Sequence, residues 1–235
     1  MADPHETEKA AAARAAVGRV RPGMRLALGT GTTAAHAVSA IAVRFPDGGG
    51  LTCVASSERT EALARELHVP IRALEAGDRF DLMIDGADEV DPSLSLTKGG
   101  GGALFREKYL ARRSQEFLVI VDPSKLVDHL GSRSAIPVEV VPYARDSLLA
   151  ELNARGLPAT VRPAADGQGT FRTDNGLEVL DVRPSGGLED PGRLDAELHG
   201  FPGVVETGLF VGLANTVLIG RPDGSVEERK ARGSR

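Results

Sequence analysis

Short apolar runs alternate with helical patterns through the first half of the chain, and this alternation constrains the fold more than any other feature of the sequence. A regular exchange of strand and helix segments indicates a parallel sheet that is covered by helices. The predicted strands are Arg25–Leu28, Leu51–Ala55, Phe80–Asp85 and Phe117–Asp122. The predicted helices are Glu8–Val20, Thr33–Phe45, Ser57–Leu67 and Ala103–Arg113. We therefore expect an open α/β sheet in this part of the chain.

After Leu130 the order of predicted elements changes to strand, helix, strand, strand, helix, strand. The strands are expected at Ile136–Val141, Ala159–Pro163, Leu177–Val182 and Val204–Thr207. The helices are expected at Tyr143–Arg155 and Gly192–His199, and Ala165–Gly169 reads as a loop. This order is typical of the ferredoxin-like α+β arrangement. The last apolar segment, Gly212–Gly220 with a turn at Arg221–Val226, is expected to rejoin the first sheet.

These patterns together predict an α/β fold with two domains. A Rossmann-like parallel sheet domain comprises residues 1–131 plus 208–235 and is expected to hold the catalytic residues. A ferredoxin-like α+β domain, residues 132–207, is inserted in it. Ligands of open α/β sheets bind where strands lead into helices, and the joints at Gly29–Thr33 and Ser56–Ser57 are of this kind.

The composition narrows the class of protein. The formal net charge is −5 and aromatic residues make up 4% of the chain with no Trp, which argues against a nucleic-acid-binding surface. A single cysteine, Cys53, excludes an intrachain disulfide, favours a reducing compartment and reads as a buried thiol. No signal peptide is recognisable, and no apolar run approaches the roughly 20 residues of a membrane span. The expectation is a cytoplasmic protein without nucleic-acid or membrane partners.

The segment Gly29-Thr30-Gly31-Thr32-Thr33 is a candidate anion site. Glycine permits close backbone approach, and the start of the following helix offers free N–H groups. The segment lacks both the GxGxxG spacing of dinucleotide sites and the Gly-Lys-Ser/Thr of a P-loop. A small phosphate is thus a better ligand than a nucleotide, and a plain helix cap at Thr32 or Thr33 is the simpler alternative.

The densest group of polar residues lies in DLMIDGADEVDPSLSLTKGGGGALFREKYLA, residues 81–111. Asp85 and Asp88 follow a predicted strand, Lys98 precedes the glycine run Gly99–Gly102, and Glu107 falls on a predicted helix. Carboxylates, a lysine and bare backbone are the groups needed to handle a small polyol phosphate. Each also has a purely structural reading, since Asp forms turns, glycine runs form flexible links and Glu is common on helix surfaces.

Several further blocks accompany this group along the chain. They are Ser56-Ser57-Glu58-Arg59-Thr60, Asp122-Pro123-Ser124-Lys125, Arg172-Thr173-Asp174-Asn175-Gly176, Gly203-Val204-Val205-Glu206 and Gly208-Leu209-Phe210. Together with the DGADEVD and KGGGGAL–REK blocks, they make nearly the whole chain resemble the type A ribose-5-phosphate isomerases. The departures are small: Thr32 stands where the family usually has Ser, and Leu177 where a polar residue is common.

The resemblance implies an aldose–ketose isomerase that interconverts D-ribose 5-phosphate and D-ribulose 5-phosphate in the non-oxidative pentose phosphate pathway. Such a reaction moves a proton between adjacent carbons through an enediolate, so it needs a base and a counter-charge. Glu107 matches the family's base, and Lys98 is the natural counter-charge. One of Asp85 and Asp88 is expected to assist ring opening, and Asp85 is assigned as catalytic.

The expected substrate contacts extend over the same motifs. They are Thr30, Gly31, Thr32, Thr33, Asp85, Gly86, Ala87, Asp88, Lys98, Gly99, Gly100, Gly101 and Lys125. No metal or other cofactor is expected. The partner is a small sugar phosphate, and the resemblance implies a homodimer or a tetramer. A second argument concerns the sheet face of the ferredoxin-like domain opposite its helices, which the strands Val138–Val141 and Val179–Val182 would make largely apolar. Such a face must pack on the larger domain or on a second subunit, and a two-fold dimer is the commonest solution.

Other readings of the same residues remain open from the sequence. The acidic group Asp85, Asp88, Glu89 and Asp91 could hold Mg²⁺ or Ca²⁺, although it lacks the EF-hand spacing and the five histidines are scattered. Lys98 could form a Schiff base. A sugar-phosphate-sensing regulator is nearly excluded, because it would need a DNA-binding module before the first strand, where a single alanine-rich helix is expected. An amino-sugar phosphate deaminase or a lactonase would need a histidine near the catalytic acid, and the helix with Glu107 has none. CoA transfer is disfavoured but not excluded.

Overall fold

A computed structural model describes residues 4–231 of the chain. The helices are α1 (Glu6–Gly18), α2 (Thr32–Arg44), α3 (Glu58–Glu66), α4 (Leu104–Ala111), α5 (Arg145–Ala154) and α6 (Pro191–His199). The strands are β1 (Arg25–Leu28), β2 (Thr52–Ala55), β3 (Phe80–Asp85), β4 (Glu89–Val90), β5 (Leu96–Thr97), β6 (Ser114–Val121), β7 (Ile136–Val140), β8 (Ala159–Val161), β9 (Glu178–Val182), β10 (Val204–Thr207), β11 (Leu209–Phe210), β12 (Thr216–Gly220) and β13 (Val226–Lys230). None of the described helices combines the length and the apolar character needed to cross a bilayer.

The described residues form two compact units. The first comprises the described residues up to 87, residues 106–126 and those from 212 onward; the second comprises residues 88–105 and 127–211. Residues 88–105 thus pack with the second unit, whereas the sequence pattern places them with the α/β domain. The domain limits 1–131 plus 208–235 and 132–207 remain a prediction.

The first unit contains a six-stranded sheet in the order β13-β12-β6-β3-β1-β2. All neighbouring pairs are parallel except β12 with β13. The expected α/β sheet is therefore confirmed, as is the return of the chain after Gly212 to this sheet. The edge strand β13 was not expected, because its sequence VEERK is charged and gives no apolar alternation.

Burial on both faces explains the apolar sequence of the central strands. β3 and β6 lie inside the sheet, and Leu82, Ile84, Leu118 and Ile120 belong to one buried cluster with alanines of α1 and residues of α2. Parallel strands that are covered on both sides read as continuous apolar runs. Cys53 of β2 is fully buried in this core, and burial raises the pKa of its thiol to about 12, as expected for a structural cysteine.

The second unit contains a four-stranded antiparallel sheet in the order β10-β7-β9-β8. With α5 and α6 it gives the chain order β-α-β-β-α-β, so the ferredoxin-like arrangement is confirmed. Leu148 and Leu152 of α5 and Leu198 of α6 pack on the apolar side of the sheet. That side is formed by Ile136, Val138, Val140, Leu180 and Val182.

The opposite side of this sheet differs from the expectation. Successive side chains of a strand point to opposite faces, and the apolar residues of β7 and β9 are used on the helix-covered side. The other side carries Pro137, Glu139 and Asp181 beside Val179. Glu139 is fully buried there, and desolvation raises the pKa of its carboxyl. The prediction of a largely apolar second face was therefore wrong, and this face no longer supports a dimer.

A further sheet of three two-residue strands, in the order β11-β5-β4, also belongs to the second unit. It pairs Leu96 and Thr97 with Leu209 and Phe210 on one side and with Glu89 and Val90 on the other. Strands of two residues are too short to produce an alternation, which is why they could not be predicted from the sequence. The central strand β5 leads directly to Lys98, so pairing on both of its edges fixes the chain just before that lysine.

Candidate active site

In the first unit, the loop between β1 and α2 wraps around the carboxylate of Asp85. Asp85 is the last residue of β3 and is fully buried. Its Oδ1 accepts hydrogen bonds from the backbone N–H of Thr30 at 3.0 Å and of Gly86 at 2.7 Å. A Cβ on Gly29 would lie 1.9 Å from this carboxyl group, so only glycine fits at that position. Asp85 and the predicted phosphate loop are therefore in direct contact and hold one another in place.

Side-chain hydroxyls hold this loop in place. Thr30 Oγ1 lies 2.7 Å from Ser56 Oγ and 2.7 Å from Ser57 Oγ. Thr60 Oγ1 donates to the carbonyl oxygen of Gly29 at 2.9 Å. Ser57 also caps α3 by accepting from the N–H of Thr60. The SSERT block after β2 therefore organises the loop after β1, a role that the sequence did not assign to it.

Lys9 is a residue that the sequence reading missed. It lies on α1, is buried, and its Nζ donates to Thr32 Oγ1 at 3.2 Å. Thr32 is the first residue of α2, and Gly31 before it has a φ of 111°. The helix start thus offers N–H groups with a lysine ammonium beside them, which suits an anion. Nothing in the alanine-rich sequence around Lys9 distinguishes it from a surface lysine.

Glu107 and Lys125 are the other predicted residues of the first unit. Glu107 lies in α4 and is 3% exposed, so it is not the ordinary surface glutamate of the simpler reading. Lys125 is half-buried and ends a single 3₁₀ turn, Pro123–Lys125. The fully buried Asp122 caps that turn by accepting from the N–H of Ser124 at 2.9 Å. The block Asp122-Pro123-Ser124-Lys125 thus consists of a capping aspartate and a 3₁₀ turn that ends with the lysine.

In the second unit, Asp88 and Lys98 are placed by the small sheet. The backbone N–H of Asp88 donates to the carbonyl oxygen of Thr97, and that of Lys98 donates to the carbonyl oxygen of Gly208 at 2.8 Å. Lys98 is 3% exposed, and its Nζ lies 5.6 Å from the centre of the Phe210 ring. Such a cation–π contact stabilises a lysine away from water.

The glycine run adopts a fixed conformation. Gly99 and Gly102 have φ values of 91° and 82°, which favour glycine, and Gly102 N–H donates to the carbonyl oxygen of Gly99. Asp88 Oδ2 accepts from the N–H of Gly100 at 2.8 Å. A Cβ on Gly100 would lie 2.9 Å from the Asp88 carboxylate. The run is therefore a tight turn, not the flexible link of the simpler reading.

Glu89 and Asp91, which the sequence left open as metal ligands, act within loops. Glu89 is buried and accepts from the N–H groups of Gly131, Arg133 and Ser134 at 2.6–2.8 Å. Asp91 Oδ1 accepts from the N–H groups of Ser93 and Ser95. Both carboxylates thus hold loops of the chain by accepting hydrogen bonds from backbone N–H groups.

A different group, Asp195, His199 and Glu206, brings its possible ligand atoms within 4.8 Å of one another. His199 Nδ1 lies 2.8 Å from the carbonyl oxygen of Asp195, and its Nε2 lies 3.0 Å from Glu206 Oε1. Both ring nitrogens therefore face oxygen acceptors. The imidazole of His199 thus links α6 to β10 through hydrogen bonds.

An α/β fold with buried carboxylates and a buried lysine at the positions that the sequence singled out is typical of an enzyme for a small phosphorylated substrate. Comparison with known proteins identifies the particular family. The model of ribose 5-phosphate isomerase A (phosphoriboisomerase A) matches residues 52–224. The chain belongs to this family.

Relatives and solved structures agree with this assignment. The chain is 49% identical to ribose-5-phosphate isomerase A of Chloroflexus aurantiacus over 93% of its length and 92% of that protein. It is 44% identical to the enzyme of Synechococcus sp. (strain WH7803), with 98% of each chain covered. A D-ribose-5-phosphate isomerase in complex with phospho-erythronic acid superposes with a TM-score of 0.91 at 34% identity, covering 97% of this chain and 100% of that one. The enzyme of Methanocaldococcus jannaschii gives 0.90 at 36% identity, covering 96% and 99%.

Proposed function

We propose that this chain interconverts D-ribose 5-phosphate and D-ribulose 5-phosphate, a step of the non-oxidative pentose phosphate pathway, without a metal or nucleotide cofactor. The observation that carries the proposal is the family membership, because relatives that match more than nine-tenths of the chain are named for this reaction. The buried carboxylates and lysine described above are the groups that the reaction needs.

Glu107 is the proposed base. It removes the proton from C2 of the open-chain aldose and returns it to C1, while the proton of the C2 hydroxyl passes to the C1 oxygen, so that the enediolate collapses to the ketose. Because Glu107 is buried, little water competes for its carboxylate. A proton on the same carboxyl can therefore be returned to the neighbouring carbon of the substrate.

Lys98 and the two aspartates have complementary proposed roles. Lys98 supplies positive charge to the oxygen that becomes negative in the enediolate. Asp85 assists ring opening and accepts from substrate hydroxyls, and its position is held by Thr30 and Gly86. Asp88 also binds hydroxyls, while its Oδ2 holds the N–H of Gly100. Gly86, Ala87 and Gly99–Gly101 contribute backbone contacts.

The phosphate is assigned to the loop Thr30–Thr33. Three features support this assignment: the free N–H groups at the start of α2, the hydroxyls of the loop, and the ammonium of Lys9 at Thr32. Lys125 is proposed as a further contact to the substrate. Holding the non-reacting end of the sugar phosphate orients C1 and C2 for proton transfer.

The test is to incubate the purified protein with ribose 5-phosphate, with and without a chelator, and to follow ketopentose formation. We expect turnover that a chelator does not change. Phospho-erythronic acid, which is bound in the relative's structure, should inhibit competitively because its carboxylate places negative charge where the enediolate carries it. Loss of turnover with chelator, restored by one divalent metal, would contradict the cofactor-free mechanism.

We also propose that the protein acts in the cytoplasm as a homodimer or a tetramer, with a small sugar phosphate as its partner and neither nucleic acid nor membrane. The single buried cysteine and the acidic net charge support the compartment and the lack of a nucleic-acid partner. The oligomer rests on the family resemblance alone, since the second sheet face is polar. Light scattering that returned the mass of one 24.6 kDa chain at micromolar concentration would contradict it.

A further inference from the structure

Arg162 contacts the glycine run through two hydrogen bonds to its backbone. It follows β8, and its side chain is 13% exposed. Its Nη1 donates to the carbonyl oxygens of Gly99 at 3.0 Å and Gly100 at 3.1 Å. The sequence reading assigned no role to this residue.

Asp181 orients the guanidinium of Arg162 from the neighbouring strand β9. Arg162 Nε lies 2.9 Å from Asp181 Oδ2, and Nη2 lies 2.5 Å from Oδ1. The backbone N–H of Arg162 also donates to Val179 at 2.9 Å. A planar guanidinium held by a bidentate carboxylate has one fixed direction for its remaining N–H groups, and here that direction is toward the glycine carbonyls.

The two carbonyl contacts determine how the peptide groups of the run face. The C=O and N–H of a trans peptide point to opposite sides of the chain. The peptide between Gly99 and Gly100 is held at both ends, with its oxygen on Arg162 and its N–H on Asp88. The next peptide has its oxygen on Arg162 as well, so the N–H of Gly101 points away from Arg162, as does the N–H of Gly100 that donates to Asp88.

We propose that Arg162, oriented by Asp181, is a positioning residue that turns the N–H of Gly101 toward the substrate. The inference rests on the proposed isomerase function. Four glycines in succession have no side chains to hold them and lose much backbone entropy when ordered. A donor that is already directed at the developing oxyanion costs no reorganisation during the reaction. Arg162 supplies that order from outside the run.

The variants Arg162→Ala and Arg162→Lys test the proposal, with Asp181→Asn to leave the arginine present but unoriented. Lysine keeps the charge but cannot contact Asp181 and two carbonyls together. Arg172→Ala is the matched control, because Arg172 also pairs with a carboxylate, Glu178, and a glycine carbonyl, that of Gly176.

For Arg162→Ala we expect kcat for ribose 5-phosphate to fall about 100-fold, the typical effect of losing one oxyanion donor, with a much smaller change in KM. Affinity for phospho-erythronic acid should fall in parallel with kcat/KM, whereas inhibition by inorganic phosphate should stay within about twofold. Arg162→Lys and Asp181→Asn should show the same pattern in smaller measure. Arg172→Ala should behave as the parent protein.

Hydrogen–deuterium exchange over residues 98–105 gives a readout that does not require turnover. We expect faster exchange in Arg162→Ala and unchanged exchange in Arg172→Ala. Unchanged exchange and unchanged kcat in the Arg162 variants would overturn the inference, as would an equal loss of affinity for inorganic phosphate, which indicates general damage. If Arg162→Ala does not fold, Asp181→Asn and Arg162→Lys decide by the same criteria. A parent protein without turnover on ribose 5-phosphate would instead refute the proposed function, and the exchange result would still decide the role of Arg162.

Discussion

The carboxyl group of Asp85 occupies the space in which any residue but glycine would carry its Cβ at position 29. The distance from that Cβ position to Asp85 Cγ would be 1.9 Å. Gly29 follows β1 and Asp85 ends β3, and the two strands are parallel neighbours in the sheet. The close approach is what lets Thr30 donate its N–H to the same carboxylate.

Gly29→Ala should therefore lower both the stability and the activity of the protein. The methyl group forces the loop away from Asp85, and overpacking of this kind typically lowers the free energy of unfolding by about 1–3 kcal/mol. Misplacement of a catalytic group by about 1 Å can lower kcat/KM about 100-fold. Urea denaturation and steady-state kinetics measure the two effects. The control is Gly18→Ala at the end of α1, where the nearest atom lies 4.0 Å from the added Cβ; equal behaviour of the two variants would contradict the expectation.

Glu107→Gln should abolish most of the turnover while the fold is retained. The amide keeps the shape of the side chain but cannot accept the proton, and a positioned base typically contributes about 10²–10⁴-fold. Steady-state kinetics should show that loss in kcat with a far smaller change in KM. Glu66→Gln, at the exposed end of α3, is the control. If Glu107→Gln retains a third of the parent turnover, the base lies elsewhere, and Asp85 becomes the candidate.

The phosphate should be required for efficient catalysis. Binding energy at the loop Thr30–Thr33 orients the reacting carbons, so free ribose should have a far lower kcat/KM than ribose 5-phosphate. Inorganic phosphate should inhibit weakly and competitively. Lys9→Met should raise KM for the phosphorylated sugar and weaken that inhibition. Equal kcat/KM for ribose and its 5-phosphate would remove the assignment of the loop.

Asp78 should make the stability of the first unit dependent on pH. Its hydrogen bonds with Arg72, at 2.7 and 2.8 Å, together with the N–H of Glu75 and the charge of Arg25, hold the pKa of its carboxyl well below the ordinary value. The unfolded chain then binds more protons than the folded one, so this stabilisation is complete above the ordinary pKa of about 3.9 and is lost as the pH falls through the folded value.

Asp78→Asn tests that expectation. Urea denaturation at pH 7 should give a lower free energy of unfolding for the variant than for the parent protein. The difference should shrink as the pH is lowered below about 4, because the carboxyl of the unfolded parent chain then binds a proton that the folded protein does not. A difference that stayed constant down to pH 2 would show that the contacts of Asp78 stabilise the fold by packing and not by charge.

Much of the fold followed from local patterns. The limits of β1, β3 and β10 agree with those predicted, because each strand is a short run rich in apolar residues and is bounded by turns or loops. The ferredoxin-like order was likewise predictable from alternating helix and strand periodicities. The strands β4, β5 and β11 were missed because two residues carry no period, and β13 was missed because its side chains are charged.

The sequence by itself determined the family, the order of the elements and the candidate residues, because those depend on residue types and on spacings along the chain. Only the tertiary structure decided which contacts each residue makes. Glu89 and Asp91 fold loops, Lys9 reaches Thr32 from 23 residues away, and Arg162 holds carbonyls more than 60 residues before it. A side chain's partners are set by the packing of distant segments, and one isolated charge in a sequence gives no sign of which segment that will be.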